Sequence, residues 1–331
     1  MKRKCGVWYL AALLFCVGLL ASCSGNRTDS SRRTGGGFLY RVGFVNINDK
    51  DPTCYPAMLR FIERMESEEL LKKVGVERIE VLTADSDSNI ERQTTNVETL
   101  LTRGVDIIFI IGVDTEGNSI AVEQCNEAGV PVFMVGTEAS RGKWKFVGFN
   151  EREVGRKQGE WCAANLQQNT RIFYLQGAPG REATIFREEG FREGIAGRSD
   201  LQIVSAQTGM WEVARAMQVT EDWIQAYGNS IGAIVAADTQ MVVGAIEALT
   251  AANMNESVIT CGMVQTGTWD LEPIRSGLEN YAVFAFWPGI GTLCADVAAE
   301  FYLGNEIPER SDIVLYDMTP ANYTEFFPLI N

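Results

Sequence analysis

The residue inventory is most restrictive where catalysis is concerned. The chain of 331 residues contains no histidine, which removes the commonest general base and the commonest metal ligand together. A Ser-His-Asp or Cys-His arrangement is therefore impossible. Beyond residue 23 the cysteines are Cys54, Cys125, Cys162, Cys261 and Cys294. No two have zinc-ligand spacing, and a core this large needs no staples, so they read as small buried apolar residues. No carboxylate pair stands out as a glycosidase acid and nucleophile. Gly177-Ala178-Pro179-Gly180 is glycine-rich but lacks the Gly-Lys-Ser/Thr ending of a phosphate loop. No enzyme, metal site or cofactor is expected, which leaves the chemistry of binding: carboxylates, amides and aromatic rings placed in loops. Asp238 shows how such a residue stays ambiguous. It reads equally as the cap of a helix starting at Thr239 and as a carboxylate facing a ligand.

The elements that must hold these groups alternate regularly from Tyr40 onward. Short apolar runs predict strands at Arg41–Asn46, Glu77–Thr83, Asp106–Ile111, Val130–Val135, Lys145–Phe149, Arg171–Gln176, Gln202–Gln207, Ala233–Ala236, Val258–Cys261, Tyr281–Ala285 and Ile313–Tyr316. Their continuous hydrophobicity is that of parallel strands covered on both faces. Helical stretches intervene, among them Ile90–Arg103, Thr115–Ala128, Glu151–Gln168 and Met241–Ala252. Asn89 is placed to cap the first of these and Gly104 to end it. The pattern is a βαβ array, divided at this length into two sheets rather than one. In such sheets ligands sit beyond the carboxyl ends of the strands. The loops to search begin near Ile47, Gly112, Gly136, Asn150, Gly177, Thr208, Ala237, Gly262 and Phe286.

The first residues have a different purpose. Met-Lys-Arg-Lys opens the chain, and an apolar stretch from Val7 to Ala21 follows, short for a membrane span. It ends Leu20-Ala21-Ser22-Cys23, which resembles the lipobox of bacterial lipoproteins, with Cys23 as the lipidated residue. Residues 1–22 are then a signal peptide, and 23–37, polar and without periodicity, a flexible tether. The anchor implies an extracytoplasmic, membrane-attached protein. The net charge of −14 argues against a nucleic-acid partner, which would require a basic face.

The loops carry a recognisable order of motifs. Arg92-Gln93-Thr94 through Leu100-Leu101-Thr102-Arg103-Gly104-Val105-Asp106-Ile107-Ile108 resembles the Q-x-x-x-I-x-x-L-x-x-x-G-V-D-x-I segment of periplasmic sugar-binding proteins. Ala128-Gly129-Val130-Pro131-Val132 is similar to their entry into the fourth strand. Leu175-Gln176-Gly177 with Arg187-Glu188-Glu189-Gly190-Phe191, and Ala233 through Ala245 around Asp238, match two further segments. Together they span Tyr40 to Tyr316 and resemble the ribose/galactose-binding (type I periplasmic binding protein) family, in its ribose-type branch. The resemblance implies an α/β fold of two Rossmann-like lobes with parallel sheets, joined by a three-segment hinge, and a ligand held between the lobes. The crossings are expected near Gly148–Asn150, Phe286 and Leu315. The first lobe then comprises residues 38–148 and 287–315, the second 149–286 and 316–331. Repressors sharing this core begin with a DNA-binding helix-turn-helix, and here a signal and tether stand in its place.

Carried over residue by residue, the resemblance assigns ligand contacts to Asp51, Thr53 and Tyr55 in the loop after the first strand, and to Glu138, Trp211, Asp238, Gln265 and Phe286. Asn150 and Trp287 fall at the hinge. Several groups that fork onto sugar hydroxyls in the family are changed: Gly136-Thr137, Ile185, Ala237, Val264 and Phe286 occupy their positions. The pocket is accordingly more aromatic, suited to a sugar or to a sugar-like molecule such as a nucleoside, a deoxy sugar or an autoinducer-like signal. The expected protein is a monomer that delivers its solute to an ABC permease. Presentation of a signal molecule to a membrane sensor kinase or chemoreceptor is the alternative.

Overall fold

The computed structural model describes residues 33–34, 37–38 and 40–330. The signal peptide and Cys23 lie outside them. At the end of the segment read as a tether, two short strands, β1 (Arg33–Thr34) and β2 (Gly37–Phe38, which runs one residue past it), pair antiparallel.

The first sheet is built from β3 (Tyr40–Asn46), β4 (Ile79–Asp85), β5 (Ile107–Ile110), β6 (Val132–Val135) and β7 (Lys145–Gly148). Between them run α1 (Cys54–Met65), α2 (Glu68–Val74), α3 (Ile90–Thr102) and α4 (Thr115–Ala128). The second sheet repeats the plan with β8 (Arg171–Gln176), β9 (Gln202–Thr208), β10 (Ala233–Ala236), β11 (Ile259–Val264) and β12 (Tyr281–Phe284). Its helices are α5 (Glu151–Asn165), α6 (Glu182–Ile195), α7 (Val213–Tyr227), α8 (Thr239–Ala251) and the short α9 (Glu272–Arg275). Helix α10 (Trp287–Tyr302) returns to pack on α1, and β13 (Arg310–Asp312), β14 (Tyr316–Met318) and α11 (Phe327–Ile330) finish the chain.

Strand order is β13-β7-β6-β5-β3-β4 in one sheet and β14-β12-β11-β10-β8-β9 in the other. All neighbours run parallel except β14, which pairs antiparallel with β12. Winding reverses between β3 and β5, and again between β8 and β10, so each sheet has a switch point whose crevice opens at the strand ends. Central strands such as β5, β6 and β10 are buried at every residue, as continuous apolar runs should be.

The chain passes from the first sheet to the second at 149–150, returns at 285–286, and passes again at 313–315. The single strand expected at Ile313–Tyr316 is thus two strands in different sheets with a crossing between them. Ile313 and Leu315 pack against the core while Val314 is 61% exposed. That alternation mimics a strand in sequence but belongs to an extended linker.

Helices α5 and α6 approach backbone to backbone. A Cβ at Gly155 would sit 1.8 Å from the Arg187 carbonyl oxygen, and one at Gly190 would sit 1.9 Å from that of Arg152. Only glycine permits this contact, and it fixes where the first turns of both helices deliver their side chains.

Candidate functional site

Helix starts aim at the cleft between the sheets, and their caps line it. Asp51 Oδ1 accepts hydrogen bonds from the backbone N–H groups of Thr53 (2.8 Å) and Cys54 (2.7 Å) at the start of α1. Asp114 caps α4 through Gly117 N at 2.7 Å, Asn150 caps α5 through Glu153 N at 3.2 Å, and Asp238 caps α8 through Met241 N at 2.9 Å. These residues satisfy orphan N–H groups and also form cleft wall. Asp238 thus caps α8 and, in the same position, forms part of the cleft wall.

The cleft has two compartments that share Gly136, Glu151, Arg181 and Ala183. The inner one, of about 90 Å³, is lined by Ile47, Asp51, Thr53, Asp238, Gln240 and Gln265, together with Arg187 and two indoles. Arg187 is 3% exposed. Its Nε donates to Glu151 Oε2 at 2.6 Å and its Nη1 to the Ala237 carbonyl at 2.6 Å. The guanidinium also lies 5.8 Å from the Phe149 ring centre and 5.7 Å from that of Trp211. A buried cation is tolerable only with such a complete set of partners.

Trp211 has φ of +62° and Met210 before it φ of +59°. Left-handed backbone at two successive residues with side chains is strained, a condition found where a site requires it. The ring lies directly over Gly177, where an added Cβ would meet it at 1.8 Å. Trp287 is seated likewise over Gly136, at 2.3 Å, and meets Phe149 edge-on with centroids 5.9 Å apart. The indole N–H groups of Trp211 and Trp287 are both buried and have no hydrogen-bond partner among the described residues. Such donors are costly unless something accepts from them.

The outer compartment, of about 250 Å³, is lined by more charged side chains. It takes Glu138 and Thr137 from the loop after β6, Asp114 and Thr115 from the start of α4, Glu182 and Phe186 from α6, and Arg310 from β13. Arg310 lies flat on Phe146, 3.8 Å from the ring centre, and donates to Glu138 Oε1 at 2.8 Å. Burial and the hydrogen-bonded Glu138 carboxyl beside it push Glu182 up to about 8, against a weaker opposing pull from Arg310. In the inner compartment, burial pushes Asp238 up to about 6, with Asp51 adding to the rise and its Met241 N–H bond and Arg187 opposing it.

Of the residues expected at the site, Asp51, Thr53, Trp211, Asp238, Gln265 and Trp287 line the inner compartment, and Glu138 and Asn150 the outer. Tyr55 and Phe286 line neither. Tyr55 sits half-buried against the core in the first turn of α1. Phe286 lines a separate hollow with Pro56, Leu59 and Ile330, its ring 5.9 Å from Phe284. At this crossing the neighbouring Trp287 takes the cleft side, so Phe286 packs on the opposite one. Arg187, Glu151, Arg181, Glu182, Phe149 and Arg310 also line the cleft, beyond the residues that the sequence assigns to it. Arg187 was within a recognised motif. Its role became visible only with Glu151, thirty-six positions away.

A family model for the periplasmic binding protein domain matches residues 55–306. The ribose import binding protein of Bacillus subtilis is 30% identical over 194 residues, covering 56% of this chain and 63% of that protein. The galactofuranose-binding protein of Escherichia coli is 28% identical over 235 residues, covering 69% and 74%. A crystal structure of an ABC transporter solute-binding protein from Bacillus halodurans, with bound myo-inositol, superposes with a TM-score of 0.76 at 26% identity. It covers 88% of this chain and 99% of its own.

Proposed function

This chain belongs to the periplasmic binding protein family, and on that premise we propose that it is the extracytoplasmic, substrate-binding lipoprotein of an ABC importer, closing over a sugar or sugar-like molecule. Family members bind substrates rather than convert them, and the chain is not an enzyme. The lobes are residues 38–148 with 287–315 and residues 149–286 with 316–331, with Asn150 and Trp287 at the hinge. Cys23 is the anchor, the partner is a membrane permease, and the protein acts as a monomer.

One observation carries this reading: the inner compartment draws groups of opposite hydrogen-bonding sense from both sheets around flat aromatic faces. Asp51 and Asp238 accept, Arg187 and the two indoles donate, and Gln265 does either. A ring bearing hydroxyls, with one apolar face, satisfies such a set. The relatives named for ribose and galactofuranose, and the structure holding myo-inositol, support a polyhydroxylated ligand. The aromatic enrichment supports one less evenly hydroxylated than a free hexose.

The test is native mass spectrometry of residues 38–331, purified and fragmented in the gas phase, followed by calorimetry with whatever small molecule is released. A sugar or sugar-like mass that binds again, and binds at least tenfold more weakly to Trp211→Ala, is the expected result. Unchanged affinity in both Trp211→Ala and Asp51→Ala would sink the pocket assignment.

A further inference from the structure

We propose that the solute is a two-part molecule, a hydroxylated ring linked to a second hydroxylated group, which fills both compartments at once and is gripped at the link by Arg181. The inference rests on the cleft being the ligand site proposed above, and it adds the size and shape of what enters.

Volume points first to a ligand that spans the waist. The inner compartment holds about 90 Å³ and the outer about 250 Å³. Small-molecule sites ordinarily run from roughly 300 to 1,000 Å³. Neither compartment reaches that range alone, and the two together do. They meet at Gly136, Glu151, Arg181 and Ala183, so a ligand that uses both must pass these four residues.

Of the four, only Arg181 has a side chain with nothing to hold. Gly136 seats the Trp287 ring, Ala183 has no polar side-chain atom, and Glu151 is engaged by Arg187. The Arg181 side chain has neither a hydrogen bond nor an ion pair among the described residues. The other arginines of the cleft wall are all engaged. Arg187 donates to Glu151 and the Ala237 carbonyl, Arg152 is paired with Glu189 and Glu193, and Arg310 with Glu138 and Asp312. Arg181 is half-buried at the start of α6, and its guanidinium carries five N–H donors. A cation partly withdrawn from water is costly without acceptors. The oxygen that joins two sugar units, with the hydroxyls on either side of it, supplies acceptors at this point.

The walls select neutral, hydroxylated parts on both sides of the waist. In the inner compartment Asp51 and Asp238 each use Oδ1 for a helix cap, which leaves the second oxygen to accept from a hydroxyl, while Trp211 and Trp287 offer flat faces. In the outer one Asp114, Glu138 and Glu182 stand around the opening. Carboxylates accept from hydroxyls and repel an anion. A disaccharide, or a glycoside with a polyol as its second part, has the required distribution of groups. A phosphorylated or carboxylated sugar does not.

The experiment is calorimetry on the full chain, held in a detergent without a sugar head group, against two matched sets of compounds. The first is single rings: pentoses, hexoses and myo-inositol. The second is disaccharides and polyol glycosides assembled from the same rings. The tightest binder should come from the second set. Arg181→Met should weaken it by about tenfold to a hundredfold and should weaken its single-ring fragment by less than about threefold. Arg181→Lys, which keeps the charge and loses the fork, should fall between. A denaturant midpoint equal to that of the wild type checks that the variants are folded, as expected for a side chain without partners. A single ring as the tightest binder, or an Arg181→Met variant that binds the two-part compound as well as the wild type, would overturn the proposal. If Trp211→Ala still weakened that ring, the cleft would remain the sugar site. No binding by either set would remove both readings.

Discussion

The two compartments of the cleft are built on different principles, although they share a wall. The inner one is fixed by packing. Arg187 is locked between two rings and two acceptors, and each indole is laid over a glycine where an added Cβ would collide with the ring. The outer one is fixed by charge. Arg310, Glu138 and Glu182 are partly solvated and come from a strand, a loop and the start of a helix. Charge in contact with water is cheap to rearrange, and packed rings are not. The difference teaches that a volume fixed by packing and one fixed by charge can adjoin within a single cleft.

The contrast is sharpest for two arginines. Arg187→Met leaves Glu151 buried without its cation and should cost about 3–5 kcal/mol of stability, read from denaturant midpoints. A cost below 1 kcal/mol would show that the inner compartment is no more rigid than the outer. Asp238→Asn comes next. Because burial raises Asp238 to about 6, this side chain stabilises the fold below its unfolded value near 4 and that contribution is lost as pH rises through 6. The wild-type stability should therefore fall by up to about 3 kcal/mol over that interval, and the asparagine variant should lack the fall. Gly177→Ala pushes the Trp211 ring from its seat. It should cost about 1–3 kcal/mol and shift tryptophan emission to the red, while an equal substitution at the exposed Gly197, where no atom lies nearby, should do neither. The smallest effect belongs to Arg310→Met. Its side chain is 40% exposed, so stability should change by about 0–1 kcal/mol, with the change detectable only in thermal melts at low salt.

Much of this architecture was legible in the chain because it depends on local pattern. Strands buried on both faces announce themselves as unbroken apolar runs, and β8 and β10 have the bounds that the sequence suggests. Helix caps such as Asn89 and Asp238 obey a local rule and are found where that rule places them. The misreadings are equally local in origin. Ile313–Leu315 has the composition of a strand; the local pattern reads it as one, and it is the family resemblance, not that pattern, that expects a crossing near Leu315. Phe286 and Trp287 are adjacent aromatics, and which one faces the cleft is decided by the turn into α10. Glu182 gave no signal at all, since its raised carboxyl is made by burial and then by Glu138 and Glu151, all of which come about only in the folded protein.

The three crossings have a consequence for how the molecule is made. The first sheet gains its last edge strand, β13, only after β3 through β12 have all been synthesised, and β14 then closes the second sheet within a few residues. During translation neither sheet is complete until residues 310–318 emerge, and the two are finished almost together. A ribosome releasing this chain early would therefore yield two unfinished edges rather than one intact half, each offering an unpaired strand to its neighbours.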